Sequence, residues 1–142
     1  MKIKLKTFAA WIAGLIGVSS CDIIGFGVCM YASPYADYNI DILVTDTEGN
    51  PVPEIVARRD SLDTRILERT GEDGHLRLRI ENELGVPPEI LYFEDVDGPE
   101  NGGEFESRYN DRREIKSTLV TKGKSWYMGE YELTGTVKLK KK

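Results

Sequence analysis

From residue 38 onward, apolar and polar residues alternate with a period of two, which is the pattern of a strand buried on one face. The first such stretch, 38–44, places on one face Tyr38, Ile40, Ile42 and Val44. The clearest stretch, 75–81, has leucine and isoleucine on one face and on the other His75, Arg77 and Arg79. The Asp-Gly sequence that ends at residue 74 predicts a tight hairpin turn before this second strand.

Further strands are predicted where β-favouring residues are bordered by proline, glycine or polar turn sequences. These segments are 52–58, 64–70, 89–94, 113–120 and 127–140. The stretch 95–109 is polar and rich in glycine, and it predicts a loop. About seven short strands, with no helical period after residue 21, predict an all-β domain over 37–142, built as an antiparallel two-sheet sandwich.

The N-terminal region has the composition of a secretory signal peptide. Lys2, Lys4 and Lys6 precede an apolar run over 8–18, and no acidic residue comes before the end of that run. The run is too short to cross a hydrocarbon core of about 30 Å, which needs roughly 20 residues. A buried amphipathic helix is disfavoured because the run has two glycines and no polar face. We therefore predict a signal peptide, a short helix, over 1–20.

The end of this leader resembles the lipobox of bacterial lipoproteins, with an aliphatic residue, two small residues and a cysteine in Val18-Ser19-Ser20-Cys21. The resemblance implies that the Cys21 thiol receives a diacylglyceryl group and that its new amino terminus is acylated. One acyl chain holds a protein only marginally at a membrane, whereas two or more hold it stably. On this interpretation 21–36 is a lipidated tether. The alternative is a soluble secreted protein cut nearby.

Charge narrows the range of partners. The whole chain carries a formal charge of −5, and loss of the leader removes three lysines and no acidic residue, which leaves about −8. Such an acidic chain disfavours nucleic acid and anionic lipid as partners. The basic run at 138–142 is interpreted as a solvated strand end and tail, with membrane-surface contact as the weaker alternative.

Cys29 is the second of the two cysteines in the chain. If Cys21 carries lipid through its sulfur, Cys29 has no partner within the chain. A single leftover cysteine in an exported protein suggests intermolecular pairing or a free thiol. Burial as a small apolar side chain is the equally open alternative.

The stretch 37–80 resembles the carboxypeptidase regulatory-like domain, which is a transthyretin-like β-sandwich. The residues that carry the resemblance are Val44-Thr45-Asp46 at a strand end, Gly49 and Pro51 in the following turn, and Thr70 and Gly74 before an alternating strand. Family members commonly have a glycine just before the second strand, where this chain has Glu54. The resemblance implies a transthyretin-like or immunoglobulin-like sandwich.

Nearly the whole chain also resembles a family of small lipoproteins of Bacteroidetes-type bacteria. The residues that match are the lipobox, the Met30-Tyr31 pair and the segment 93–105, FEDVDGPENGGEF, although glycine often stands in the family where this chain has Ala32. Members are associated with a radical S-adenosylmethionine protein encoded nearby. The resemblance implies a location in the cell envelope and such a protein as partner, and it makes Cys29 a candidate modification site.

The 95–109 loop contains candidate ligands for calcium, which prefers oxygen donors. The side chains concerned are those of Asp95, Asp97, Glu100, Asn101 and Glu104. The spacing does not fit an EF-hand, because aligning the loop glycine places Phe93 at the first ligand position. The alternative is a solvated acidic loop in which Asp and Gly residues serve turns. We expect no other cofactor.

Three aromatic residues are candidates for a platform that binds sugar or peptide, namely Tyr109, Trp126 and Tyr127. The favoured alternative is that they pack in the core and along sheet edges. His75 is the only histidine, so a histidine-rich metal site is excluded and a triad has only this one candidate base.

These observations predict a non-enzymatic lipoprotein, lipid-anchored in the bacterial cell envelope, with the outer membrane (periplasmic or surface face) as the expected location. Its domain is predicted to be a binding or structural module. The alternative function is that of substrate or partner of a radical S-adenosylmethionine maturase.

Overall fold

The computed structural model describes residues 33–85 and 87–142 of the chain, so the leader, the lipobox and both cysteines lie outside the described residues. The described part is all-β and contains eight strands. They are β1 (Tyr35–Thr45), β2 (Ile55–Arg58), β3 (Glu68–Arg69), β4 (His75–Leu84), β5 (Tyr92–Asp95), β6 (Arg108–Tyr109), β7 (Ile115–Lys122) and β8 (Tyr127–Lys138). The predicted all-β class is confirmed. Among these residues no helix has the length and hydropathy needed to cross a membrane.

The longer strands form the first sheet, in the order β4-β1-β8-β7. Strand β1 lies inside it, and its alternation places every second side chain in the core, as the sequence predicts. Ile40 pairs with Leu78 of β4 on one side and with Leu133 of β8 on the other. Because cross-strand neighbours share a face, one face of this sheet is apolar and the other is polar.

The prediction of a wholly antiparallel arrangement is wrong for one pair, because β1 and β8 run parallel. Strands β7 and β8 form an antiparallel hairpin. On its other side β8 pairs with β1, with Tyr127 opposite Tyr35. Alternation within a strand determines which face is buried. It carries no information on the direction of a partner far away in sequence.

The second sheet consists of short strands in the order β3-β2-β5-β6, all paired antiparallel. Its core side chains include Ala57, Phe93 and Leu91, which join the apolar face of the first sheet in one hydrophobic cluster. The predicted loop over 95–109 is wrong at both borders, because β5 includes Asp95 and β6 occupies Arg108–Tyr109. Two of the eight strands have only two residues, which is too short to give a periodic signal.

Within the loop, Phe105 is fully buried in the hydrophobic cluster. Its backbone amide donates to Asp95 Oδ2 at 2.8 Å. A single apolar residue between two glutamates has no periodic apolar neighbours, so its burial is not visible in the sequence pattern.

One end of the domain, which we call the turn end, brings together the turns over 46–51 and 70–74. Asp46 Oδ1 accepts hydrogen bonds from the amides of Glu48 and Asn50, both at 2.9 Å. The side chain and amide of Asn50 hold the pKa of Asp46 below its ordinary value. Gly74 has a φ of +73°, and a Cβ at this position would lie 2.7 Å from Pro51 Cβ and 2.8 Å from the carbonyl oxygen of Val44.

The Thr70 side chain joins two segments at the same end. Its hydroxyl donates to the carbonyl oxygen of Val52 at 2.8 Å and accepts from the amide of Ile55 at 2.9 Å. Between these two residues, Glu54 adopts a φ of +58°, a left-handed conformation that favours glycine. Asp46, Thr70 and Gly74 therefore meet in one joint, and Glu54 lies at a position in that joint where a glycine would be free of strain.

The opposite end, which we call the entry end, is where the described chain begins. Strand β1 starts there at Tyr35, β4 ends at Leu84 and β8 starts at Tyr127, and these three residues are aligned across the sheet. The Tyr35 amide donates to the carbonyl oxygen of Trp126 at 3.0 Å. The end of β7 lies in the same region, because Lys122 pairs with Gly129.

Candidate functional site

The polar face of the first sheet contains a shallow groove of about 340 Å³. Each of the three strands β4, β1 and β8 contributes to it, because the side chains opposite the core share this face. Its lining residues are Asn39, Ile40, Asp41, Arg77, Leu78, Arg79 and Glu132. In ligand-binding sites of proteins, a small number of polar groups fixes the orientation of the ligand.

Register brings the lining side chains together in two rows across the sheet. In one row Asn39 lies opposite Arg79 on β4 and opposite Glu132 on β8. In the next row Asp41 lies opposite Arg77. The two arginines are two residues apart on the same strand, so their guanidinium groups project from the same face. Each arginine side chain is about half exposed.

Arg77 is held by two carboxylates. Its Nη1 donates to Asp73 Oδ2 at 2.8 Å, and its Nε lies 3.6 Å from Asp41 Oδ2. The Arg77 hydrogen bond is the main cause that lowers the pKa of Asp73, and in return the carboxylates raise the pKa of Arg77. The other oxygen of Asp41 lies 2.5 Å from Nδ1 of His75. The single histidine, on the polar side of its strand in the sequence pattern, is therefore bonded at the rim of the groove.

Arg79 is part of a second network at the other end of the groove. Its Nη1 lies 3.3 Å from Glu130 Oε1, and its Nε donates to Glu81 Oε1 at 3.0 Å. The same Glu130 oxygen accepts a hydrogen bond from Asn39 Nδ2 at 2.7 Å. Exposed ion pairs of this kind each contribute little to stability. The guanidinium groups of Arg77 and Arg79 can therefore exchange a carboxylate of the domain for a carboxylate of a ligand at little cost in stability.

The candidate calcium residues are largely engaged within their own loop. Asp95 Oδ1 accepts from the amides of Asp97 and Gly98, both at 3.2 Å. Burial, followed by the neighbouring Asp97 carboxyl, raises the pKa of Asp95. The Asn101 side chain donates to Asp97 and is the main cause that lowers the pKa of Asp97.

The remaining two candidates point to the same structural role. The Glu100 carbonyl accepts from the Gly103 amide at 3.3 Å, and Glu104 Oε1 lies 2.6 Å from Lys142 Nζ. Across residues 33–85 and 87–142, no three His, Cys, Asp or Glu side chains are grouped as metal ligands. The calcium site stays a prediction. The observed contacts assign the side chains of Asp95, Asp97 and Asn101 to turns of the loop and that of Glu104 to the chain terminus.

The three candidate binding aromatics do not form one group, because Tyr109 lies in the second sheet, Tyr127 lies in the first sheet and Trp126 lies in the turn before β8. Tyr109 of β6 packs against Tyr92 with 5.0 Å between ring centroids, and its hydroxyl accepts from the Ser61 amide at 2.9 Å. Tyr127 of β8 packs against Tyr35 at 5.3 Å. Trp126 is half exposed at the entry end. Packing along sheet edges therefore accounts for the two tyrosines, and Trp126 is the aromatic residue left without a described ring partner.

The groove residues were not among the candidates that the sequence suggests, although the signal for them was present. Alternation in 38–44 and 75–81 places Asn39, Asp41, Arg77 and Arg79 on the polar faces of two strands. Opposite charges on two strands are a weak indication of cross-strand pairing. The contribution of Glu132 could not be found in this way, because it depends on the parallel pairing of β1 with β8.

Comparison with protein-family models, curated proteins and solved structures finds no match to this chain. The resemblances described above therefore stay predictions. The sites that they concern at Cys21 and Cys29 lie outside the described residues.

Proposed function

We propose that this chain is a lipoprotein of the bacterial cell envelope, anchored by lipid on Cys21, with a non-catalytic binding module in residues 33–142. The expected location is the outer membrane, on its periplasmic or surface face. The observation that carries the binding role is the groove on the polar face of the first sheet. Its two half-exposed guanidinium groups lie among carboxylates rather than beside a nucleophile with an adjacent base.

The proposed fold of this module is a transthyretin-like β-sandwich. Two four-stranded sheets share one hydrophobic cluster, as two packed sheets do. The joint at the turn end supports this assignment, because Asp46, Thr70 and Gly74 each have a specific bonding or steric role there. These are the positions that carry the resemblance to the carboxypeptidase regulatory-like domain.

The proposed ligand of the groove is polar and bears carboxylates, as an acidic peptide or an acidic glycan does. Arginine offers a planar fork of donors that matches a carboxylate with two parallel hydrogen bonds. Arg77 and Arg79 each contact two carboxylates of the domain through single nitrogen atoms, so a ligand would replace one internal carboxylate at each arginine. Because the groove is open and shallow, binding is expected to be weak and reversible.

Site-specific photo-crosslinking in the native host tests the groove. A photoreactive residue at Glu132, which is exposed on the groove wall, is expected to capture a ligand that the same residue at Thr47, exposed at the turn end, does not capture. Arg77→Ala combined with Arg79→Ala should abolish the adduct while folding is retained. Equal capture from both positions, or capture that persists without the arginines, would show that the groove is not the binding site.

The anchor is tested separately with Cys21→Ala. Metabolic labelling with an alkyne fatty acid is expected to mark the parent protein and not the variant. The variant should keep its leader or appear in the soluble fraction. Unchanged membrane fractionation of the variant, together with an unlabelled parent, would refute the lipid anchor and leave the groove untouched.

A further inference from the structure

The entry end of the first sheet exposes large apolar side chains that the proposed groove does not use. They form what we call the entry patch, with side chains between half and two thirds exposed: Leu84 62%, Val120 58%, Trp126 53% and Met128 50%. Single exposed apolar residues are ordinary, but several at one end of a domain mark a contact surface.

The residues of the entry patch lie at one end of the sheet, on strand ends that are joined by backbone pairing. Leu84 is aligned with Tyr35, whose amide bonds to the carbonyl oxygen of Trp126. The Gly123 amide, three residues after Val120, donates to the carbonyl oxygen of Met128 at 3.2 Å and closes the β7–β8 hairpin. The patch therefore extends over the ends of β4 and β7 and the start of β8.

Around the patch, two lysines have no ion-pair partner among the described residues, whereas the carboxylates are bonded within the domain. Lys122 and Lys124 flank the exposed residues, and neither forms an ion pair with any residue in 33–85 or 87–142. The carboxylates nearby are engaged within the domain. Asp37 is bonded by the Asn82 amide and the Tyr127 hydroxyl, which lower its pKa.

The second sheet contributes to the same end. The bidentate pair between Arg59 and Glu83, at 2.6 and 2.7 Å, ties the segment after β2 to the end of β4. Three residues beyond Arg59, Leu62 is 90% exposed. A leucine that makes so little contact with its own domain extends the apolar character of this end past the first sheet.

The chain itself indicates what faces this end. Cys21 precedes Ser33, the first described residue, by twelve residues, a span of roughly 40 Å when fully extended. Pro34 lies at the entry end, where its carbonyl oxygen accepts from the Gly85 amide at 3.2 Å. If Cys21 is lipidated, the membrane surface is therefore within reach of the patch. Tryptophan and lysine beside aliphatic residues are also the composition of surfaces at a membrane interface.

We propose that the entry patch rests on the lipid bilayer, with Trp126 and its apolar neighbours in the interfacial region and Lys122 and Lys124 at the phosphates. This inference depends on the proposed lipid anchor and adds an orientation to it. The groove lies on the side of the sheet and the turn end faces away from the membrane. The acidic net charge of the domain is no obstacle, because its carboxylates are absent from the patch or bonded within the domain.

Trp126 allows a direct test, because it is the only tryptophan that remains when the 1–20 leader is removed. The full mature lipoprotein is extracted from membranes and reconstituted into vesicles of phosphatidylcholine with a minor share of phosphatidylglycerol. Matched vesicles carry bromine on the phosphatidylcholine acyl chains. We expect bromine to quench Trp126 fluorescence strongly. The emission maximum of Trp126 in vesicles should lie at shorter wavelength than that of the protein unfolded in urea without detergent.

The matched control moves the tryptophan to the other end of the domain, in Trp126→Phe combined with Thr47→Trp. Its fluorescence should not respond to brominated lipid and should stay open to acrylamide. Charge reversal at Lys122 and Lys124 should reduce quenching of Trp126 in vesicles that contain phosphatidylglycerol more than in those without it. Each lysine near an anionic surface is expected to change surface association about fivefold.

Vesicle flotation separates the possible failures. If the protein does not float with vesicles, the lipid anchor fails and the orientation fails with it. If the protein floats but bromine quenches Trp126 no more than the Thr47→Trp control, only the orientation is wrong. Protection of Trp126 from acrylamide without quenching by bromine would assign the patch to a protein partner or a second copy, which also overturns the lipid assignment.

Discussion

The two ends of this domain differ in what their side chains do. At the turn end, Asp46 accepts hydrogen bonds from backbone amides of its turn, and the Thr70 hydroxyl accepts from one backbone amide and donates to one backbone carbonyl. Gly74 permits a close contact that a Cβ would block. At the entry end, Trp126 and Met128 lie half exposed with few internal partners. The first end fixes the path of the chain, and the second leaves apolar surface open for contact outside the domain.

This contrast separates residues that the fold requires from residues that are available for function. Buried polar groups are retained when their hydrogen bonds are satisfied, since an unsatisfied partner costs about 1–3 kcal/mol. Exposed apolar residues give no such stability to the domain. Substitutions at the turn end should therefore change stability, whereas substitutions at the entry patch should change association with a membrane.

The largest expected effect is that of Gly74→Ala. The new Cβ would collide with Pro51 and with the carbonyl oxygen of Val44 in a residue whose φ is +73°. Strain in the left-handed region and overpacking together should lower the free energy of unfolding by about 3 kcal/mol, as measured by urea denaturation.

The matched control is Gly49→Ala in the neighbouring turn. Its φ is +93°, but within the described part of the chain no atom lies within 4 Å of the added Cβ. Backbone strain alone should cost about 1–2 kcal/mol. Equal losses at the two positions would mean that the close approach at Gly74 is not a constraint on the joint.

The next effect is that of Thr70→Val, which preserves shape and removes a buried hydroxyl with two partners. The Ile55 amide and the Val52 carbonyl would be left unpaired. We expect a loss of about 2 kcal/mol in the free energy of unfolding. A loss much smaller than this in the free energy of unfolding would show that the Thr70 hydroxyl does not hold the two segments together.

Thr45→Val is the opposite case at the same end. The Thr45 hydroxyl is buried, and it makes no hydrogen bond with any residue in 33–85 or 87–142. Replacing it by a methyl group should raise the free energy of unfolding by about 1 kcal/mol, because an unpaired polar atom leaves the interior. Destabilisation by this variant would contradict the bonding pattern at the turn end.

A smaller gain is expected from Glu54→Gly. The residue has a φ of +58°, and its exposed ion pair with Arg69 contributes little. The free energy gained by relief of the left-handed strain should exceed the entropic cost of the added flexibility in the unfolded chain. The free energy of unfolding should therefore rise by about 0.5–1 kcal/mol, and the melting temperature should rise with it. Glu54→Ala loses the same ion pair without relieving the backbone, so it should not stabilise. A gain with alanine and none with glycine would argue against backbone strain.

The smallest effect on stability should come from the entry patch. Val120→Ser combined with Met128→Ser replaces two half-exposed side chains and should change the free energy of unfolding by no more than about 0.5 kcal/mol for each residue. The same variant should lose quenching of Trp126 by brominated lipid. A large loss of stability would show that these side chains belong to the core, and the contrast between the two ends would disappear.

Much of this architecture is predictable because it is local. The alternation in 38–44 and 75–81 correctly indicates β1 and β4, and the Asp-Gly sequence correctly places the turn before β4. The parallel pairing of β1 with β8 joins residues about 90 positions apart, and no local pattern specifies it. The two-residue strands and the burial of Phe105 are missed for a related reason, because neither leaves a period in the sequence.

The candidate sites show the same limit. The sequence places Arg77 and Arg79 on a polar face, but their meeting with Glu132 depends on the register across three strands. The acidic residues of 95–104 looked like ligands because they are dense in sequence. In the structure, Asp95 and Asp97 bond mostly to their own loop. Density of charge in sequence is therefore a weaker guide here than alternation.

The central claim is that a lipid on Cys21 holds this domain at a membrane. The intact mass of the protein, extracted from membranes of its native host, tests that claim most directly. We predict the mass of residues 21–142 plus a diacylglyceryl group and an amide-linked acyl chain. Additional mass on Cys29 would support the alternative role as substrate of a radical S-adenosylmethionine maturase. The mass of an unmodified chain, whether residues 1–142 or a product cut elsewhere, would contradict the account.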